Sequence, residues 1–133
     1  MTLIELLVVV AVIGVLSATG FARWIQYRRQ AVDAQMRASL SAARYAMEGF
    51  FDDNDNSYAN AQELDLDDYG YRDTVGVGIN IVSAGPTDYV LRTCASGGSF
   101  SAFELDSRTA TIVGVSGTCF PKRARGGKGK KKG

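Results

Sequence analysis

The chemistry open to this 133-residue chain is set by a few side chains. Glu5 is a lone carboxylate at the head of an apolar run, since no charged residue occurs from Leu6 to Ala22. A carboxylate in an apolar medium is costly, and an opposite charge relieves that cost. Such a residue either marks a membrane–water boundary or awaits a cation. Cys94 and Cys119 are the two thiols. They are either a disulfide staple, worth about 3 kcal/mol in the chain-entropy model, or two unrelated buried thiols. The chain has no histidine, which excludes histidine triads, histidine metal ligation and the usual general base. Two cysteines alone argue against a zinc site. Asp53, Asp55 and Ser57 echo the alternate-ligand spacing of a calcium loop, but its sixth-position glycine and distal glutamate are missing. That stretch reads as a solvated acidic loop. No residue set forms a catalytic constellation or requires a cofactor, so the expectation is a structural protein rather than an enzyme.

The apolar run is long enough to cross a membrane as a helix. It has no basic n-region of the kind that opens a secretory signal, and its first positive charges, Arg23, Arg28 and Arg29, follow it. By the positive-inside rule the rest of the chain would stay in the cytoplasm, whereas a disulfide belongs outside it. A processed chain that has lost a basic leader reconciles the two. Beyond Arg23 the apolar residues Val32, Met36, Leu40, Ala43, Met47 and Phe50 recur at helical spacing. One long helix is expected over residues 1–51, lipid-like all round in its first half and amphipathic in its second.

Residues 52–73 form an acidic connector, and residues 74–120 carry the pattern of a small sheet. Val75, Val77, Ile79 and Ile81 alternate with other residues at period two. Further strands are expected from Tyr89 to Cys94, Ser99 to Leu105 and Thr109 to Val115, with short turns at Gly85–Asp88, Ala95–Gly98 and Asp106–Arg108. The fold class is α+β: a long N-terminal helix packed on an antiparallel sheet of about four strands. Residues 121–133 are a Gly/Lys tail holding Lys122, Arg123, Arg125, Lys128, Lys130, Lys131 and Lys132. These are seven of the fifteen basic residues, so a net charge of +1 conceals a body of eight basic and fourteen acidic residues, a net −6. Such a tail cannot build a core. It is solvated, reaches an acidic patch on a neighbouring chain, or binds DNA or another polyanion.

The order of residues Thr2-Leu3-Ile4-Glu5-Leu6-Leu7-Val8-Val9-Val10-Ala11-Val12-Ile13-Gly14-Val15-Leu16 resembles the N-terminus of bacterial type IV pilins. It is also similar to the pseudopilins of type II secretion. The resemblance covers about the first 27 residues. It implies cleavage of a short basic leader before Met1 by a prepilin peptidase and N-methylation of the new terminus. It further implies residence in the inner membrane before the assembly machinery builds an extracellular homopolymeric filament. In the family the carboxylate matching Glu5 meets the N-terminal amine of a neighbouring subunit, which makes Glu5, Met1 and Thr2 the assembly residues. The paired cysteines resemble the family's C-terminal disulfide-bounded loop. Two positions depart from the pattern. Met1 stands where Phe is commonest, and Ala22 stands where many pilins carry a Pro. In those filaments the helix unwinds before that Pro; here Gly14, Gly20 and Ala22 are the candidates for melting, each glycine costing about 1 kcal/mol of helix stability.

The expected function is therefore a pilin subunit serving adhesion, motility or DNA uptake. One alternative is a type II secretion pseudopilin. The other is a single-pass membrane-anchored binding domain that never polymerises.

Overall fold

The computed structural model describes residues 1–63 and 65–119, with Ala22 described by its backbone alone. One helix dominates it. Helix α1 runs unbroken from Leu3 to Asp53, 51 residues, or about 77 Å at 1.5 Å per residue. It passes through residues 14–22 without interruption. Among the described residues, and apart from the helix's own backbone, nothing lies within 4 Å of a Cβ placed on Gly14 or Gly20. The helix stops two residues beyond the expected end. Asn54 caps it, donating from its backbone to the Phe51 carbonyl (3.3 Å) and from Nδ2 to the Phe50 carbonyl (2.8 Å). Asp55 and Asn56 then take left-handed conformations, which their short polar side chains tolerate better than most.

Only the second half of α1 carries a core. Met36, Leu40, Ala43, Met47 and Phe50 are buried, as their spacing predicts, and Val32 is half-buried at the edge. Ser39 and Ala46 join that face, so the buried stripe is wider than the apolar pattern alone. The connector holds one helical turn, α2 (Asp65–Asp68), which buries Leu66. Tyrosines pin the connector down. Tyr71 is buried with its hydroxyl 2.7 Å from Ser39 Oγ. Tyr69 sets its ring edge-on to Phe50, and Tyr58 lies between Phe51 and Tyr89. Burial, then the Glu48 charge, pushes the Tyr89 hydroxyl up to about 12.

The sheet is an antiparallel meander in the order β1 (Val77–Ala84), β2 (Tyr89–Ala95), β3 (Ala102–Asp106), β4 (Thr111–Val115). The α+β architecture and the strand order are those expected from the sequence. Three strand starts move inward. Val75 is exposed, and the Thr74–Val77 turn, with Gly76 at φ +79°, delays β1. Ser99–Ser101 stay outside β3 because Phe100 folds onto the backbone of β4 at Gly114, where a Cβ would sit 2.6 Å from the ring. Thr109 and Ala110 belong to the last turn, Ala110 at φ +52°.

Alternate residues Val77 and Ile79, then Tyr89, Leu91 and Thr93, then Phe103 and Leu105 face α1 and are buried. Fully burying one such side chain contributes roughly 1.5–3 kcal/mol. Thr93 is the polar exception on that face. Its hydroxyl donates to the Met36 carbonyl of the helix at 3.3 Å, so the buried oxygen is satisfied and ties sheet to helix. The opposite face carries Arg92 and Glu104, which stand opposite each other in register and form an ion pair.

Candidate assembly surface

The first half of α1 is uncovered. From Leu3 to Tyr27 its large side chains are exposed, Leu3 at 81 % and Phe21 at 70 %. An apolar stretch of mean hydropathy 2.4, none of it buried, is long enough to cross a membrane. A helical surface this apolar and unpartnered is stable only in lipid or against other protein.

Glu5 sits where this surface begins, beside a shallow groove of about 440 Å³ lined by Met1, Ile4, Val8 and Val9. Its local geometry is a capping box. Thr2 is the N-cap of α1. The Thr2 backbone N–H donates to Glu5 Oε2 at 3.0 Å and the Thr2 hydroxyl to the same oxygen at 3.3 Å, while the Glu5 N–H donates to Thr2 Oγ1 at 3.4 Å. Two donors thus reach the carboxylate from its own chain, and the N-terminal end of the helix dipole favours its charge. Thr2 and Glu5 are brought together as a pair. The Met1 amine is not among the groups that bond to Glu5 here, and in one chain the capping box takes that place.

At the melting candidates the helical backbone is intact. Thr19 returns its hydroxyl to the Leu16 carbonyl at 3.1 Å, a local bond that competes with the helix ladder and tends to bend it.

Cys94 and Cys119 form a disulfide, with Cα atoms 5.7 Å apart and a sequence separation of 25. After β4 the chain turns back across the outer face of the sheet. Gly117 donates its N–H to Ser101 Oγ (3.1 Å), and a Cβ at Gly117 would approach the Arg92 guanidinium at 3.4 Å. At Gly78 of β1 a Cβ would stand 3.4 Å from that of Cys119. Lys122, Arg123, Arg125, Lys128, Lys130, Lys131 and Lys132 lie outside the described residues.

Three polar ties escape a reading of the sequence. Glu63 accepts from the Ile81 N–H (3.0 Å) and from Asn80 Nδ2 (3.3 Å), fixing the connector to β1. Asp33 accepts from the Ser99 N–H (2.8 Å), fixing the β2–β3 turn to α1. That turn comes so close that a Cβ on Gly98 would sit 2.5 Å from Asp33 Oδ1. Arg37 lies over the Phe103 ring, 4.7 Å from its centre.

A long helix, bare in its first half and carrying a disulfide-closed antiparallel head on its second, is the layout that the resemblance to type IV pilins implies. No protein-family model matches the chain. The chain is similar to the type IV major pilin protein PilA of Myxococcus xanthus, 32 % identical over an alignment of 82 positions that covers 58 % of this chain and 37 % of that protein. The chain thus spans well under half the length of this curated relative, and the resemblance to type IV pilins read from residues 2–16 is borne out by it.

Proposed function

We propose that this chain is the structural subunit of a type IV pilus, a homopolymer built through α1. The observation that carries this reading is the bare apolar half of α1 with one carboxylate at its head, in a chain similar to a type IV major pilin. Before assembly the apolar half lies in the inner membrane. In the filament the same surface packs against the helices of other copies, so it passes between two apolar environments without exposure to water. A prepilin peptidase frees and methylates the Met1 amine. Glu5 then exchanges its internal Thr2 donors for the Met1 amine of a neighbouring subunit. A subunit out of register leaves a carboxylate and an ammonium unpaired in a dry core, so the pairing selects the register. Melting across Gly14, Gly20 and Ala22 accompanies packing in the filament.

The disulfide between Cys94 and Cys119 favours a pilin over a type II secretion pseudopilin. The basic tail reaches the acidic body of a neighbouring copy; DNA or another polyanion is its second candidate. Adhesion, motility and DNA uptake are properties of the finished filament. Electron microscopy of material sheared from cells tests the proposal. Long filaments that incorporate this chain support it, and a chain that stays in the membrane fraction without filaments identifies a non-polymerising anchor. Deleting residues 122–133 should lower filament stability at low salt; unchanged filament yield together with unchanged DNA retention would leave the tail merely solvated.

A further inference from the structure

We infer that the groove between α1 and the β2–β3 turn seats the phosphate headgroup of an anionic phospholipid while the chain is membrane-anchored, an inference that rests on the membrane-resident stage proposed above. The groove has a volume of about 580 Å³ and is lined by Phe21, Trp24, Arg28 and Arg29 of α1 and by Ser96 and Gly97 of the turn. Its chemistry changes along the helix. Phe21 stands next to the end of the uncharged run, Trp24 follows one turn on, and the two arginines stand one turn further. From Phe21 to Arg28 is about 10 Å along the axis at 1.5 Å per residue. That is enough to cross the interfacial layer on one side of a bilayer, roughly 5–8 Å deep. Aromatic rings settle at that boundary and guanidinium groups bind phosphate in two-point geometry. The order from apolar ring to cation therefore matches the order from acyl chain to phosphate.

The far wall is built rather than incidental. The β2–β3 turn is anchored to the helix by the Ser99 N–H bond to Asp33 at 2.8 Å, and Gly98 permits that approach. Ser96 supplies a hydroxyl, and Gly97, at φ +92°, holds the backbone in a conformation that favours glycine. Asp33 is one turn above Arg29 and its Oδ1 is engaged by the turn. A second copy's carboxylates could also meet Arg28 and Arg29. The aromatic floor, and the position of the groove where the apolar run ends, favour the lipid.

Trp24 is the single tryptophan of the chain and lies in the groove, so it reports directly. The full chain is placed in nanodiscs of equal parts phosphatidylglycerol and phosphatidylcholine. Bromine is carried near the carboxyl end of the acyl chains of one lipid or the other. Trp24 should be quenched more by the brominated anionic lipid, with an apparent enrichment of about five-fold, the worth of one arginine at an anionic surface. Arg28→Gln with Arg29→Gln should bring the two lipids to parity. Ser96→Asp puts a negative charge in the groove and should cut the preference strongly. Arg23→Gln, an equal change of charge on a residue that does not line the groove, should leave it nearly intact. Equal quenching by both lipids in the unaltered chain would overturn the inference. So would equal effects of Ser96→Asp and Arg23→Gln, which would mean diffuse surface attraction. Absence of lipid preference together with filament loss in the arginine variant would assign the groove to a second copy. Flotation of the chain with lipid separates these results from a failure of membrane anchoring itself, which would remove the proposed precursor stage as well.

Discussion

Glu5→Gln separates two jobs that Glu5→Ala would remove together. The carboxylate completes the capping box with Thr2, and in the proposed filament it also pairs with a neighbour's amine. Glutamine serves at the third helical position of a capping box as glutamate does, because its side-chain carbonyl still accepts from the Thr2 N–H. Loss of a cap costs about 1 kcal/mol. Removing one partner of a buried ion pair costs about 3–5 kcal/mol, since the other charge stays buried without compensation. At 1.4 kcal/mol per tenfold, Glu5→Gln should raise the subunit concentration needed for filament growth by about 10²–10⁴. Thr2→Val, which loses the hydroxyl but keeps the backbone donor, should change it by roughly tenfold or less in either direction. The assay is filament yield from cells, with the membrane-inserted fraction as the control; both variants should insert normally. Filaments at unaltered yield from Glu5→Gln, with none from Glu5→Ala, would show that the cap matters and the charge does not, and the pairing argument would be refuted.

Replacing Cys94 and Cys119 together by serine should destabilise the head by about 3–4 kcal/mol on the loop-entropy relation, for a sequence separation of 25. Urea unfolding of the full chain in detergent measures this, and a loss below ~1 kcal/mol would contradict the entropic account. The tyrosine hydroxyl buried at position 89 makes a prediction in alkali. Its folded value is raised to about 12 from 10, so the folded state holds its proton longer than the unfolded one. The resulting stability is fully present below pH 10 and is lost as pH rises from 10 towards 12. Tyr89→Phe should flatten that decline, as followed by urea midpoint against pH; an unchanged decline would place the effect elsewhere.

What the sequence revealed depended on the range of the interaction. The core face of α1 was legible because Met36, Leu40, Ala43 and Met47 repeat at helical spacing, a local signal. The alternation in β1 and β2 and the short turns made the antiparallel meander legible in the same way. Ser39 was not, because a serine joins a buried face only when a distant partner, here the Tyr71 hydroxyl, satisfies it. The ties from Asp33 to Ser99 and from Thr93 to Met36 cross 66 and 57 residues. Neither has a pattern in one chain that could announce it. Gly98 and Gly114 were silent for a related reason. Each makes room for a neighbour, and that neighbour is known only once the chain is folded. At the N-terminus, the composition around Glu5 made the carboxylate conspicuous. The capping box has a local signature too, a Thr three residues before a Glu.

The bare half of α1 sharpens what must drive the proposed assembly. In water, burying side chains such as Leu3, Ile4, Leu7 and Phe21 would contribute roughly 1.5–3 kcal/mol each. From a membrane the gain vanishes, because lipid tails are as apolar as the faces of other helices. An apolar surface that loses nothing on leaving lipid also gains little register on entering a filament, since Val and Leu side chains accept many neighbours. Selectivity then falls to the few polar groups along the helix and to contacts between heads. Glu5 is the single carboxylate between Met1 and Arg23, and the capping box keeps it partly satisfied in lipid through the two Thr2 donors. The free energy available to a neighbouring amine is therefore the difference between a charged pair and those two donors. That difference is smaller than the full cost of a bare buried carboxylate. A Thr2 variant that weakens the internal bonds without touching the charge should accordingly hold the carboxylate less well in the membrane and bind the amine more strongly in the filament. Loss of the cap and gain of the pair thus act in opposite directions, and their balance is read by comparing Thr2→Val with Thr2→Ser, which restores the hydroxyl.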